Sequence, residues 1–297
     1  MSARAAPRIL ALDFDGVLCD GRPEYYESSC RAYGHFWSPS TLRGRALERP
    51  FRELRPVVKS GWEMPLLVRA LVTGAGRRTM LRAWPTVREK LLASFDVARD
   101  DVVGRLRDAL DAVRRDWIWA GADEWLAAHR PYVPLDVLGR VVGEPERTFV
   151  VTTKEGELAR RILAHWGISV AGVAGKEAGE HKCDNLRELM TAHGTTSVWF
   201  VEDRVETLEC VVECSRRDPR LADVRLFLAA WGYTTSVARA TARRHPRIRL
   251  LTLAAFRHGV AAWDGGPRHG PRFMQRRGLR PPRTPPALTL GSAPAKP

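Results

Sequence analysis

The chain has 297 residues, 44% of them hydrophobic, enough to bury a large core in one domain or in two unequal ones. Its formal net charge of +14 would suit nucleic acid, but it is carried by 42 arginines against 6 lysines, a compositional bias, and residues 264–297 alone hold seven basic side chains and one acidic; nucleic acid is therefore not the expected partner, although the basic tail leaves it open. No apolar run reaches the length of a bilayer span, the short basic start runs into Asp13 without a secretory pattern, and five cysteines lacking a CxxC pair read as reduced thiols, so no membrane association and a cytoplasmic location are expected.

In chain order, residues 8–18 open with a strand. The apolar run Ile9-Leu10-Ala11-Leu12 stops at Asp13-Phe14-Asp15-Gly16, two carboxylates one residue apart followed by glycine. Burying carboxylates is costly, so a pair at the mouth of a core strand points to a cation or to chemistry. From about residue 23 to residue 131, apolar side chains recur at helical spacing, over 64–72, 87–95 and 102–126. This predicts an all-α insert over residues 23–131, with Trp62, Trp84, Trp117, Trp119 and Trp125 as its core.

From Phe149 onward strands alternate with helices: a strand into Thr152-Thr153-Lys154, a helix over 153–166, a short strand at 170–173, a helix over 184–193, and a strand 198–201 into Glu202-Asp203. A helix at 205–214, a strand at 224–230, a helix at 236–243 and a last short strand at 248–253 follow. Alternation of this kind predicts an α/β core, built from residues 1–22 and 132–263, with a mostly parallel sheet and helices on both faces. The Pro- and Arg-rich residues 264–297 read as a disordered tail. In such a sheet the carboxyl ends of the strands share one edge, where ligands bind. Asp13, Asp15, Thr152, Glu202 and Asp203 would then meet there with a lysine. Cys210 and Cys214, four apart on a helix, read as packing rather than as a metal site.

Together, Asp13-Phe14-Asp15-Gly16, Thr152 after a strand, a lysine at a later helix start and Glu202-Asp203 after another strand resemble the four motifs of the haloacid dehalogenase superfamily. The insert resembles that superfamily's C1-type cap, and the likeness spans about residues 8–256. It implies a Rossmann-like three-layer sandwich with an inserted all-α cap. The activity implied is that of a Mg²⁺-dependent phosphatase forming an aspartyl-phosphate from a small phosphorylated metabolite. Asp13 would be the nucleophile, Asp15 the general acid and then base, and Thr152 a donor to a phosphoryl oxygen. Lys182 would hold both Asp13 and the phosphoryl group, with Lys176 the alternative and Lys154 peripheral. Mg²⁺ would be held by Asp13, the backbone carbonyl of Asp15 and Asp203, with Glu202 a ligand or a supporting acceptor.

Asp15 disfavours dehalogenation, because a halide leaving group takes no proton. A calcium loop starting at Asp13 is also disfavoured, since Leu18 occupies the position where such loops need glycine. A phosphomutase of the β-phosphoglucomutase kind, or a non-catalytic binding protein on the same scaffold, are the competing readings. Arg55 and Glu63 are insert residues with the chemistry to select substrate. Glu206, one turn beyond Glu202, reads as an exposed helical acid.

Overall fold

The computed structural model describes residues 6–42, 44–179 and 181–265; the tail expected to be disordered lies outside them from residue 266 on. Strand β1 (Ile9–Leu12) leads through a tight turn at Gly16 into β2 (Cys19–Asp20). Five helices follow: α1 (Arg22–Tyr33), α2 (Glu48–Leu54), α3 (Glu63–Val72), α4 (Arg77–Leu92) and α5 (Arg99–Ala127). Strand β3 (Arg130–Pro131) then pairs antiparallel with β2, so a short ribbon both opens and closes the helical segment. Beyond it run α6 (Leu135–Val142), β4 (Thr148–Val151), α7 (Gly156–His165), β5 (Gly172–Ala174), α8 (Lys182–Ala192), β6 (Val198–Glu202), α9 (Val205–Cys214), β7 (Arg225–Ala229), α10 (Ser236–Arg244), β8 (Ile248–Leu251) and α11 (Leu253–Arg257).

The six core strands form one sheet in the order β5-β4-β1-β6-β7-β8, with every pairing parallel. Side chains alternate between faces along a strand, and the two core clusters sort accordingly. Leu10, Leu12, Val150, Val201 and Phe227 pack on one face against Val137 and Leu138 of α6, Ile162 and Leu163 of α7, and Phe256 of α11. Ile9, Ala11, Val151, Phe200 and Leu228 pack on the other face against Leu186 of α8, Leu208 of α9 and Ala242 of α10. The result is the expected three-layer α/β sandwich. The chain moves outward from β1 through β4 to β5 and returns to the other side of β1 at β6. Strand order thus reverses around β1, where open parallel sheets form their ligand crevice.

The helical segment has a cluster of its own, centred on Tyr33, Phe51, Leu54, Leu66, Leu67, Met80, Trp84, Leu106 and Leu110. Pro85 lies inside α4, which is kinked at Ala83. Helix α5 is interrupted at Gly121 and belongs to both clusters: Leu106, Leu110 and Val113 serve the helical one, whereas Trp117 and Trp125 pack with Phe14, Val137 and Trp166 in the α/β core. The tryptophans therefore do not form one insert core as expected. Trp84 does lie in it, Trp117 and Trp125 join the sheet's own core, and Trp119 is 93% exposed. Helical spacing records that a residue lies on an apolar face and not which neighbour covers that face.

Candidate active site

Three strand ends bring the charged residues together. β1 delivers Asp13 and β6 delivers Glu202 and Asp203, with Asp13 N–H donating to Val201 O at 2.9 Å to lock the two strand ends in register. Carboxylate oxygens of Asp13, Glu202 and Asp203 lie within 4.8 Å of one another, and all three residues are buried. Lys182, the first residue of α8, inserts its ammonium among them. Its Nζ donates to Asp13 Oδ1 at 2.7 Å and to Glu202 Oε2 at 2.6 Å. Lys176 is exposed on a one-turn helix. Of the two candidate lysines, it is Lys182 that stands at the carboxylates.

Glu202 spends its other oxygen on backbone. Oε1 accepts from Asp203 N at 3.1 Å and from Arg204 N at 3.0 Å. Asp203 is cradled by two glycines. A Cβ added to Gly16, whose φ of +88° favours glycine in any case, would stand 1.9 Å from Asp203 Oδ2, and one on Gly232 would stand 2.4 Å from Asp203 Cβ. The same Oδ2 accepts the Tyr233 N–H at 2.6 Å. Thr152 is buried at the end of β4, its Oγ1 accepting from Lys154 N–H at 3.1 Å, which leaves the hydroxyl proton free to donate elsewhere.

The second carboxylate of the opening motif sits in a different setting. Asp15 Oδ1 is buried with no hydrogen-bond partner, and Oδ2 lies 3.5 Å from Lys154 Nζ. Lys154 is not peripheral, as expected from its place after Thr152. Its side chain is 7% exposed and lies between Asp15 and the ring of Tyr25, 5.5 Å from the ring centroid. The backbone turn from Thr152 into α7 swings it inward, and strand-end spacing alone does not encode that turn. Glu206, in the first turn of α9, is exposed, as expected.

Residues from the helical segment complete the walls. The Arg55 guanidinium lies 4.6 Å from the Tyr233 ring centroid and 4.9 Å from that of Tyr25, within cation–π range of both. Arg55 Nη1 donates to Val58 O at 3.1 Å, the carbonyl that Arg204 Nη1 reaches at 3.0 Å from the core side. Arg55 Nε is buried without a partner, and the charges of Asp203 and Asp15 act on this guanidinium. Glu63 lies elsewhere: it accepts from Trp84 Nε1 at 2.6 Å, stands 3.3 Å from Arg88 and fastens α3 to α4. Behind the site, Glu24 is fully buried and bound by Arg114 Nε at 2.7 Å and by Ser28 Oγ at 2.6 Å. Tyr25, Tyr233, Glu24 and His129 carried no signal in the sequence beyond their side-chain type. Gly232, directly after an apolar run, was the one local hint of a close backbone approach.

The electrostatics of the carboxylate group are unbalanced. Burial, and next the charge of Glu202, push the Asp13 carboxyl up from its ordinary value, and Lys182 only partly offsets them. Burial, then Glu202 and Asp13, raise Asp203 well above the usual carboxylate range. Burial alone would lower Lys182, but Asp13 and Glu202 raise it, so the ammonium stays charged. Among the described residues Lys182 is the cation that donates directly to these three buried carboxylates, with Arg55 and Arg204 acting on Asp203 through their charge, and the donor set suits an oxygen-ligated divalent cation.

The sequence matches no protein-family model and no curated protein. Solved structures do resemble the fold. A Clostridium difficile protein provisionally named a phosphatase superposes with a TM-score of 0.55 at 13% identity, covering 86% of this chain and 99% of that one. A Clostridium acetobutylicum protein, also provisionally named a phosphatase, gives 0.53 at 12% identity, covering 86% and 98%. A provisionally named phosphoglycolate phosphatase from Lactobacillus delbrueckii gives 0.52 at 13% identity, covering 84% and 96%. At such identities the likeness is one of fold, and that fold is the one the motifs implied.

Proposed function

We propose that this chain, which has the haloacid dehalogenase-type fold, is a Mg²⁺-dependent phosphatase that hydrolyses a small phosphorylated metabolite through an aspartyl-phosphate. The observation that carries the reading is Lys182 Nζ held between Asp13 and Glu202, with the unpartnered Asp15 oxygen on the same loop. Lys182 occupies Asp13 Oδ1, which leaves Oδ2 as the nucleophile. That oxygen forms a bond to phosphorus as the bond from phosphorus to the leaving oxygen breaks. Asp15 donates its proton to the leaving oxygen and later takes one from the water that attacks phosphorus, as the bond from phosphorus to Asp13 Oδ2 breaks and inorganic phosphate leaves. Asp15 needs an uncommitted oxygen for both transfers, and Oδ1 is one.

Asp13, Asp203 and the Asp15 backbone carbonyl would hold the cation, whose bound form supplies charge neutralisation for the phosphoryl oxygens. Both oxygens of Glu202 are committed, so of its two expected roles we assign it the supporting one, fixing Lys182 and the turn at Arg204. The Thr152 hydroxyl is the donor for one phosphoryl oxygen, and Lys182, with two of its three N–H bonds on Asp13 and Glu202, has a third for another. The helices between β2 and β3 act as a cap, and Arg55 with Lys154 supplies cationic groups for a second acidic or polar substituent of the substrate.

The test is inorganic phosphate release from a panel of phosphorylated metabolites and an aryl phosphate, with and without Mg²⁺. Metal-dependent release by the wild type, reduced at least about a thousandfold in Asp13→Asn, is expected. Folded wild-type protein that releases no phosphate from any of them sinks the reading.

A further inference from the structure

On the face of the sheet opposite α6 and α7, the structure joins three cysteines that are far apart in sequence. Cys183 is the second residue of α8, and Cys210 and Cys214 are one turn apart on α9. Their Sγ atoms all lie within 4.8 Å of one another, and the Cys183–Cys210 separation is 3.9 Å. We propose that Cys183, Cys210 and Cys214 form a thiolate site for one thiophilic d¹⁰ cation, with Zn²⁺ as the reference ion, clamping the first turn of α8 to α9. This site is separate from the carboxylate site and independent of the phosphatase reading.

Both the geometry and the chemistry of the cluster suit a cation. Zn–S bonds of about 2.3 Å at tetrahedral angles place the sulfurs of a zinc site about 3.8 Å apart, close to the 3.9 Å of the Cys183–Cys210 pair. A disulfide needs the sulfurs at about 2 Å and leaves one of the three unused. Thiolates are soft ligands and select soft or borderline ions, whereas the carboxylate site offers hard oxygens suited to Mg²⁺. The two sites therefore do not compete for the same ion. Cys183 is buried, Cys214 half-buried and Cys210 exposed, so the cluster has a closed floor and an open side through which an ion and a water ligand enter. Each thiol that ligates the ion gives its proton to solvent. Cys183 directly follows Lys182, whose ammonium bridges Asp13 and Glu202. A cation at the cluster fixes the helix turn that aims this lysine.

The experiment uses the full chain, reduced, freed of metal and then saturated with Mg²⁺. Co²⁺ is titrated as the probe, because thiolate-to-cobalt charge-transfer absorption in the near ultraviolet cannot arise from carboxylate ligands. We expect the band to saturate at one equivalent of Co²⁺ and to be displaced by one equivalent of Zn²⁺. It should be lost in the C210S/C214S variant, whose two sites are exposed and half-buried. As a measurement needing no variant, Zn²⁺ should protect Cys210 and Cys214 of the wild type from alkylation, read by peptide mass spectrometry. Absence of the band in the wild type overturns the proposal. So does a band that survives in C210S/C214S, or alkylation that Zn²⁺ does not slow.

Discussion

Arg55 shows how a single side chain carries information that its neighbourhood in sequence does not. It comes from the helical segment, yet its guanidinium lies against the rings of both Tyr25 and Tyr233 and within the field of Asp15 and Asp203. A buried N–H without a partner is rare and costs about 1–3 kcal/mol, so the vacant Nε of Arg55 is placed for an acceptor that arrives with substrate. On this reading Arg55 binds the ground state and the transition state alike. Arg55→Ala should raise KM about tenfold or more while kcat changes by less than about threefold. Arg55→Lys should recover little of the loss, since an ammonium lacks the planar fork that donates to Val58 O through Nη1 while presenting Nε separately. Initial rates against substrate concentration decide the matter. A fall in kcat at unchanged KM would move Arg55 from substrate binding to the chemical step.

At the scale of elements, the helical segment is fastened to itself by a buried charge pair. Glu24 of α1 and Arg114 of α5 meet in a bidentate contact, with Nε–Oε1 at 2.7 Å and Nη2–Oε2 at 3.2 Å. Burial raises the Glu24 carboxyl, but Arg114 and then Lys154 outweigh it and hold it down at about 2. Removing one member of a buried pair strands the other, at a cost of about 3–5 kcal/mol. Glu24→Gln should therefore destabilise the protein by roughly 3 kcal/mol. The E24Q/R114M double variant should be less destabilised than the two single losses summed, because neither charge is then left alone. Denaturant unfolding of the four proteins gives the coupling; additive losses would mean that the pair contributes nothing as a pair. Nothing in the sequence identifies this contact, since Glu24 and Arg114 are 90 positions apart. The sheet was legible for the opposite reason. Each strand is a short apolar run that stops at a polar group, and the parallel order follows from alternation with helices whose apolar faces must cover both sides. The same local logic put Asp13, Asp15, Thr152, Glu202 and Asp203 at strand ends that share one edge, whereas Lys182 was singled out by the family resemblance, from its place at a helix start. It failed for Lys154 and for Trp117 and Trp125, whose placement depends on the path of a loop or on the break in α5 at Gly121.

The molecule as a whole meets at His129, where α5 returns to the β2–β3 ribbon. Its Nδ1 lies 2.9 Å from Trp125 O, its ring is 4.4 Å from that of Trp125, and Nε2 is buried without a partner. Trp125 belongs to the α/β core, while Glu24 on the helical side also acts on this imidazole. Burial, followed by the positive charge of Lys154, pushes His129 down from 6.5 to about 4, so the folded protein keeps it neutral. An unfolded chain protonates it near 6.5, and between these two values the unfolded state holds more protons than the folded one. The contribution of His129 is thus fully present above pH 6.5 and is lost as pH falls toward about 4. Between pH 6 and pH 5 the loss from this one group is about 1 kcal/mol. The window lies above the range in which Glu24 titrates, so the two effects separate along the pH axis. His129→Gln removes the titration and keeps a polar side chain of similar reach. Urea unfolding of wild type and His129→Gln at pH 6 and pH 5 should show a pH-dependent loss smaller by about 1 kcal/mol in the variant. Equal losses would mean that the imidazole is hydrated or already protonated in the folded protein, and that the seam between helical segment and sheet is open to water.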